Sequence, residues 1–282
     1  MRLKLKGAVS FRTPVFDLKK FMRTRFYSIF PLLGLLIAQG LWAQDPPTPP
    51  AAPAATPVVG KGQEEVPGQP GVVQDKHAFG VLPNYRTAEG SVAYSPITVK
   101  QKFTIANEDT IDGPSFALAA AFSGLSQINN TDPSFGQGVK GYAHRYGTGL
   151  ADQILGNYMT EAVMPSLLHQ DPRYFRKGTG SIKSRLWWAA SRSLVARGNS
   201  GKWEFNYSEF IGNGTVAAIG NLYYPDERGF SPTMQRMFTQ IGTDTVSQVL
   251  KEFWPDVKRK YFHRKDDSTP VTPALKASSG TN

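Results

Sequence analysis

The chain contains no cysteine. That excludes a disulfide framework, thiol chemistry and a cysteine-linked lipid anchor. Its four histidines never fall in an HExxH, HxH or HxxxH spacing, so no zinc motif is present and no cofactor is expected. The serines lack the GxSxG or SxxK setting of an activated nucleophile. The stretches GQGVKG and GTGSIKSR contain glycine and lysine but not the spacing of a phosphate loop. No run is long and apolar enough for a transmembrane helix. Acids are missing in one place: between Asp171 and Glu204 stand Arg173, Arg176, Lys177, Lys183, Arg185, Arg192, Arg197 and Lys202, and no carboxylate.

The first third of the chain is not ordinary globular sequence. Residues Met22 to Gln44 read as a secretory signal, with Arg23 and Arg25 before a short apolar core, Ile29 to Ile37, and Ala43 at the expected cleavage point. Met1 to Phe21 adds a basic leader, and an uncleaved signal anchor is the alternative. Residues 1–43 hold eight bases and one acid. They account for +7 of the formal +10, and the exported remainder is left near +3. A basic pI that resides in the leader gives little reason to expect nucleic acid as a partner. Export without disulfides fits a bacterial periplasm or cell envelope, where a large enough core replaces covalent staples.

Residues 44–75 open DPPTPPAAPAATP and read as a disordered Pro/Ala-rich linker, because proline removes donors and stiffens the chain. His77 to Gln101 reads as irregular or extended. From Asp112 the pattern becomes helical, with Asp112 as cap and Pro114 in the first turn. A second helix is expected over 141–168, where Leu155, Met159 and Val163 share a stripe and Pro165 kinks or ends it. A third runs from Ser181, its cap, to Ala196, with Ile182, Leu186, Ala189, Ala190 and Ser193 inward. Trp203 to Tyr207 alternates like a short strand, and a helix follows to about Leu222. The last helix is capped by Ser231, packs through Phe238, Gly242, Val246, Val249, Leu250 and Phe253, and ends at Pro255. The expected architecture is mainly α: one helical-bundle-like domain over 76–265, after the signal and linker, with a disordered tail over 266–282.

Two constellations carry chemistry. His169, Asp171 and Glu161 could form a small hydrolase site, with imidazole as general base. The plainer reading has Asp171 accepting backbone N–H groups in its Asp-Pro turn while His169 caps the preceding helix. The basic stretch, with Trp187 and Trp188 on its helix, could lie on an anionic membrane through Arg173, Arg176, Lys183, Arg185, Trp187, Trp188 and Arg192. Its plainer reading places the tryptophans in the core and the cations on a solvated face, paired with acids elsewhere.

The segments PSLLHQDPRYFR, NYSEFIG, NLYYP and KEFWPDVKRKYF together resemble an abundant group of predicted secreted bacterial envelope proteins. The resemblance spans about residues 79–263. It implies export and a mainly helical domain, and it brings no activity, cofactor or catalytic residue. The expectation is therefore a non-enzymatic envelope protein with a structural or binding role, its partner anionic lipid or another envelope component. The alternative is the His169/Asp171/Glu161 hydrolase.

Overall fold

The computed structural model describes residues 59–262; the leader, the signal, residues 44–58 of the linker and the tail lie outside the described residues. The described chain is mainly α-helical with little sheet.

It begins with a correction. Residues 59–75 are not linker-like: Gln63–Glu65 (β1) pairs antiparallel with Val73–Asp75 (β2). Gly68 and Gly71 take the positive φ that the turn between them requires. Val66 is then buried against Ala88 and Phe175, and the Gln69 side chain bonds both the N–H and the C=O of Glu89. Proline-rich composition stiffens a chain, but it does not stop an apolar residue from finding a core.

Short strands follow at His77–Ala78 (β3), Leu82–Pro83 (β4) and Thr87–Glu89 (β5). A helix absent from the sequence reading comes next, Val99–Thr110 (α1). Its start is a capping box: Thr98 accepts from Gln101 N–H, and the Gln101 side chain accepts from Thr98 N–H. Asp112 caps Gly113–Ile128 (α2) as expected, accepting from Ser115 N–H. Gly138–Asn157 (α3) runs into a π-helical turn, Tyr158–Val163, and then Met164–Leu167 (α4). The π turn answers Pro165, whose ring forbids a bond to the Glu161 carbonyl. Met164 N–H instead bonds Met159 O, one residue further back, so the ladder shifts register ahead of the proline.

Strands Gln170–Asp171 (β6) and Tyr174–Arg176 (β7) lead to Ile182–Ser191 (α5), capped by Ser181. This helix stops before Ala196 because Val195–Gly198 (β8) pairs with both β6 and Trp203–Phe205 (β9). Tyr207–Gly220 (α6) and the long Phe230–Tyr261 (α7) complete the order. β7 pairs in parallel with β5, which draws the N-terminal strands onto the middle of the chain. Pro255 does not end α7. The helix runs on through it, and Arg185 donates to the carbonyl of Glu252 in the turn before the proline.

The polarity of these helices departs from the sequence expectation. Phe238 and Leu186, expected inward, are 53% and 46% exposed. Arg236, Gln248, Lys251 and Glu252 are buried on α7 in their place, as are Ser115 and Ser123 on α2. A stripe of 3.6-residue period reports two faces, and here the polar one turns in, because the buried charges find partners on neighbouring elements. The apolar clusters are small; one joins Ala217, Met237 and Ile241 between α6 and α7. At Gly212 a Cβ would meet Thr160 Cγ2 at 2.9 Å and Met159 O at 3.2 Å, so only glycine lets α6 lie so close to the π turn.

Candidate functional site

That close approach positions a buried group of charges. Arg86, just before β5, points between two acids: its Nη1 lies 3.5 Å from Glu161 Oε1 in the π turn, and its Nη2 lies 3.3 Å from Asp244 Oδ1 on α7. Asp109 of α1 stands beside Glu161, and Glu209, in the first turn of α6, stands beside Asp244. Lys251 of α7 completes the group.

Burial, and then Asp109 beside it, raise the Glu161 carboxyl well above its ordinary range, against the pull of Arg86. Burial and Asp244 do the same to Glu209. For Arg86, burial works against the charged form, but Glu161, Asp244, Glu209 and Asp109 more than restore it. Burial lowers Lys251. Glu161 Oε2 and Asp109 Oδ1 are buried without a conventional donor. The two carboxyls lie against each other in a site where burial favours the neutral form of Glu161.

Arg86, Asp109, Glu161, Asp244 and Lys251 floor a cleft of about 450 Å³ between α2, α3 and α7, while Glu209 faces the neighbouring cavity beside Arg86 and Asp171. Its walls carry hydroxyls and amides from Ser123, Gln153, Asn157, Thr243 and Ser247, with Leu118 and Phe122 as apolar contributions. The π turn places Glu161 there, a frequent use of such turns. The floor brings a carboxyl whose neutral form burial favours, a guanidinium and a lysine amine together at the base of an open cleft. Among the described residues no histidine or carboxylate grouping has the arrangement of a metal site.

A neighbouring acid gives a pH prediction. Glu64 of β1, raised to about 7 by burial and then by Glu108, extends the same acidic region. A carboxyl that ionises later in the folded chain than in the unfolded one keeps its proton when folded. The folded state therefore binds more protons between about 4.5 and 7, and stability falls as pH rises through that window. Glu64→Gln is expected to flatten the melting temperature against pH between 5 and 7.5, raising the upper end and leaving pH 4.5 nearly unchanged. Thermal unfolding of both proteins across that range checks it; parallel profiles would show that Glu64 ionises normally.

The residues singled out from sequence lie elsewhere. His169 is exposed in a left-handed turn (φ 56°), where its carbonyl accepts from Asn199 N–H. Asp171 is buried and bound to Arg173, whose Nη2 is 2.6 Å away, and it also receives the Tyr94 hydroxyl. Asp171 and Glu161 line different cavities, so the three do not form one cleft and the hydrolase site drawn from them is corrected.

The basic surface is corrected too. Arg173 is fully buried, Arg176 pairs with Glu89, and Arg185 pairs with Glu252 and Asp256. Arg192 stacks on Trp188 and Trp203 at 4.1 and 4.3 Å from their ring centres, and Trp188 donates to Phe175 O. Only Lys183 and Trp187 of the predicted contact set stand exposed. The acids absent from the stretch come from distant segments, which local charge counting could not show.

Of the cleft residues, sequence reading found Glu161 alone. The Thr98-to-Gln101 capping box was the available sign of α1 and hence of Asp109; Arg86, Asp244 and Lys251 had no local signal, and nor did the neighbouring Glu209. No family model, curated protein or solved structure matches this chain.

Proposed function

We propose that the chain is an exported cell-envelope protein, one helical-bundle-like domain behind a Pro-rich linker, that binds a small neutral ligand in the α2–α3–α7 cleft. The signal-like Met22–Gln44 stretch, the absence of cysteine and the resemblance to secreted envelope proteins support export. The observation that carries the binding role is the cleft itself, a concave site with convergent polar groups and the strongly shifted Glu161 carboxyl. Arg86 faces Glu161 and Asp244, and burial favours the neutral form of Glu161, so the floor offers donors and acceptors more than a net field. Hydroxyl and amide walls beside Phe122 suit a saccharide or another neutral polyol.

The test is thermal unfolding and calorimetric titration with neutral oligosaccharides, N-acetylated ones included, beside anionic sugars. A neutral ligand at a hundredfold excess over its Kd is expected to stabilise the fold by about 2.7 kcal/mol. Gln153→Leu with Asn157→Leu is expected to abolish this. Binding that survives the double substitution, or confined to anionic sugars, would sink the proposal.

The proton on Glu161 favours a second reading, general-acid catalysis on the bound ligand. Glu161→Gln keeps a donor but cannot release a proton, so it would retain binding and lose turnover; unchanged turnover would remove catalysis.

A further inference from the structure

Four of the most exposed apolar side chains sit at one end of the structure. Ile128 (81%) and Val139 (86%) flank the α2–α3 turn, and Leu222 (77%) and Phe230 (81%) flank the α6–α7 turn. The two turns are fastened to each other: Ser134 N–H donates to Asp226 Oδ2 at 2.8 Å, and the Phe135 and Tyr224 rings stack at 5.7 Å. The exposed cations Lys140 and Arg228 stand beside this apolar tip, next to Val139 and near Phe230. Of the acids there, Asp132 is buried and Glu227 pairs with Arg236, while Asp226 is exposed and accepts from Ser134 N–H. The segments leading to the tip, 113–131 and 210–225, contain no charged residue at all.

We propose that this paired-turn tip docks on an anionic lipid bilayer. Ile128, Val139, Leu222 and Phe230 enter the acyl boundary while Lys140 and Arg228 engage lipid phosphates. An apolar tip flanked by two exposed cations against one exposed acid, Asp226, matches the acyl and phosphate layers of that surface. A second copy of the chain suits it less: four side chains offer on the order of 500 Å², well short of the roughly 1,200 Å² of a stable dimer. This surface lies away from the basic α5 stretch and does not depend on what fills the cleft.

The absence of cysteine makes the test direct. Single substitutions Val139→Cys, Leu222→Cys and Trp187→Cys in the full chain each carry an environment-sensitive fluorophore, and each is mixed with phosphatidylglycerol-containing or purely phosphatidylcholine vesicles. The expected result is a several-fold rise and blue shift at 139 and 222 with anionic vesicles, and none at 187. Lys140→Glu with Arg228→Glu is expected to weaken that response about tenfold or more. No response at 139 and 222, or an equal response at 187, as when another segment such as the leader brings the chain to the bilayer, overturns the proposal. So does a change without vesicles that grows with protein concentration, which would mark a second copy as the occupant. Saccharide binding would be untouched by any of these outcomes.

Discussion

Replacing Asp171 by alanine is expected to destabilise the fold by about 3–5 kcal/mol, enough to leave most of a marginally stable domain unfolded. Asp171 accepts from Arg173 Nε, Nη2 and backbone N–H, and from the Tyr94 hydroxyl, with no solvent at either charged side chain. The two carbonyls that also receive Arg173, Pro67 O and Ser95 O, belong to the N-terminal strand region. Removing the carboxylate leaves a guanidinium buried without its counter-charge, and the cost lies mostly in that stranded group. Arg173→Met together with Asp171→Leu removes both charges and is expected to recover much of the loss. Urea unfolding of the single and double variants decides it. A single variant within 1 kcal/mol of the parent would mean that water reaches the pair.

Glu252→Ala is expected to cost a similar amount and, unlike the first, to loosen a specific loop. Glu252 is fully buried and accepts from the Tyr174 hydroxyl, the N–H groups of Lys177 and Gly178, and Arg185 Nε. It joins β7, the start of the 177–181 turn and α5 to α7. Tyr174 shows how dry the place is: burial, and then the neighbouring Glu252, push its hydroxyl far above the phenol range. The alanine variant takes one of two carboxylates from Arg185, which keeps Asp256 and the residue-252 carbonyl, and leaves two N–H groups without an acceptor. Hydrogen exchange should therefore accelerate at Lys177 and Gly178 before it does in α6. Glu252→Gln keeps the shape and part of the hydrogen bonding and should fall between the two. Equal protection in parent and alanine variant would show that the loop has another anchor.

Local chemistry was legible from the sequence, and partnership was not. Asp112 with Pro114, and Ser181, each declared a helix through a cap that reaches three residues, and alternation marked Trp203–Phe205, which pairs with a strand only six to ten residues back. The mainly helical character followed. The inward faces did not, because a stripe of Phe238, Val246 and Phe253 is identical whether it faces a core or the outside. What decided them was Arg86, Arg173 and Arg185 meeting acids between 2 and 158 residues away. The cleft was invisible for the same reason: each of its charges looks ordinary alone, and only a parallel strand pair and a π turn gather them. Glu161 was noticed, but the company assigned to it was wrong.

The hairpin at residues 63–75 has a mechanical consequence. Asp75 accepts from Trp254 Nε1 and from Lys258 Nζ near the end of α7, where Phe262 also lies against Trp254. The two places where the chain leaves the described residues therefore meet in one clasp, at the far end of a helix some 45 Å long from the turn that precedes Phe230. Tension between those two strands of chain would peel β1 from β2 and open the Asp75 contacts while the helices carried no load. A tether attached there holds the molecule by its handle and leaves the opposite end free to reach.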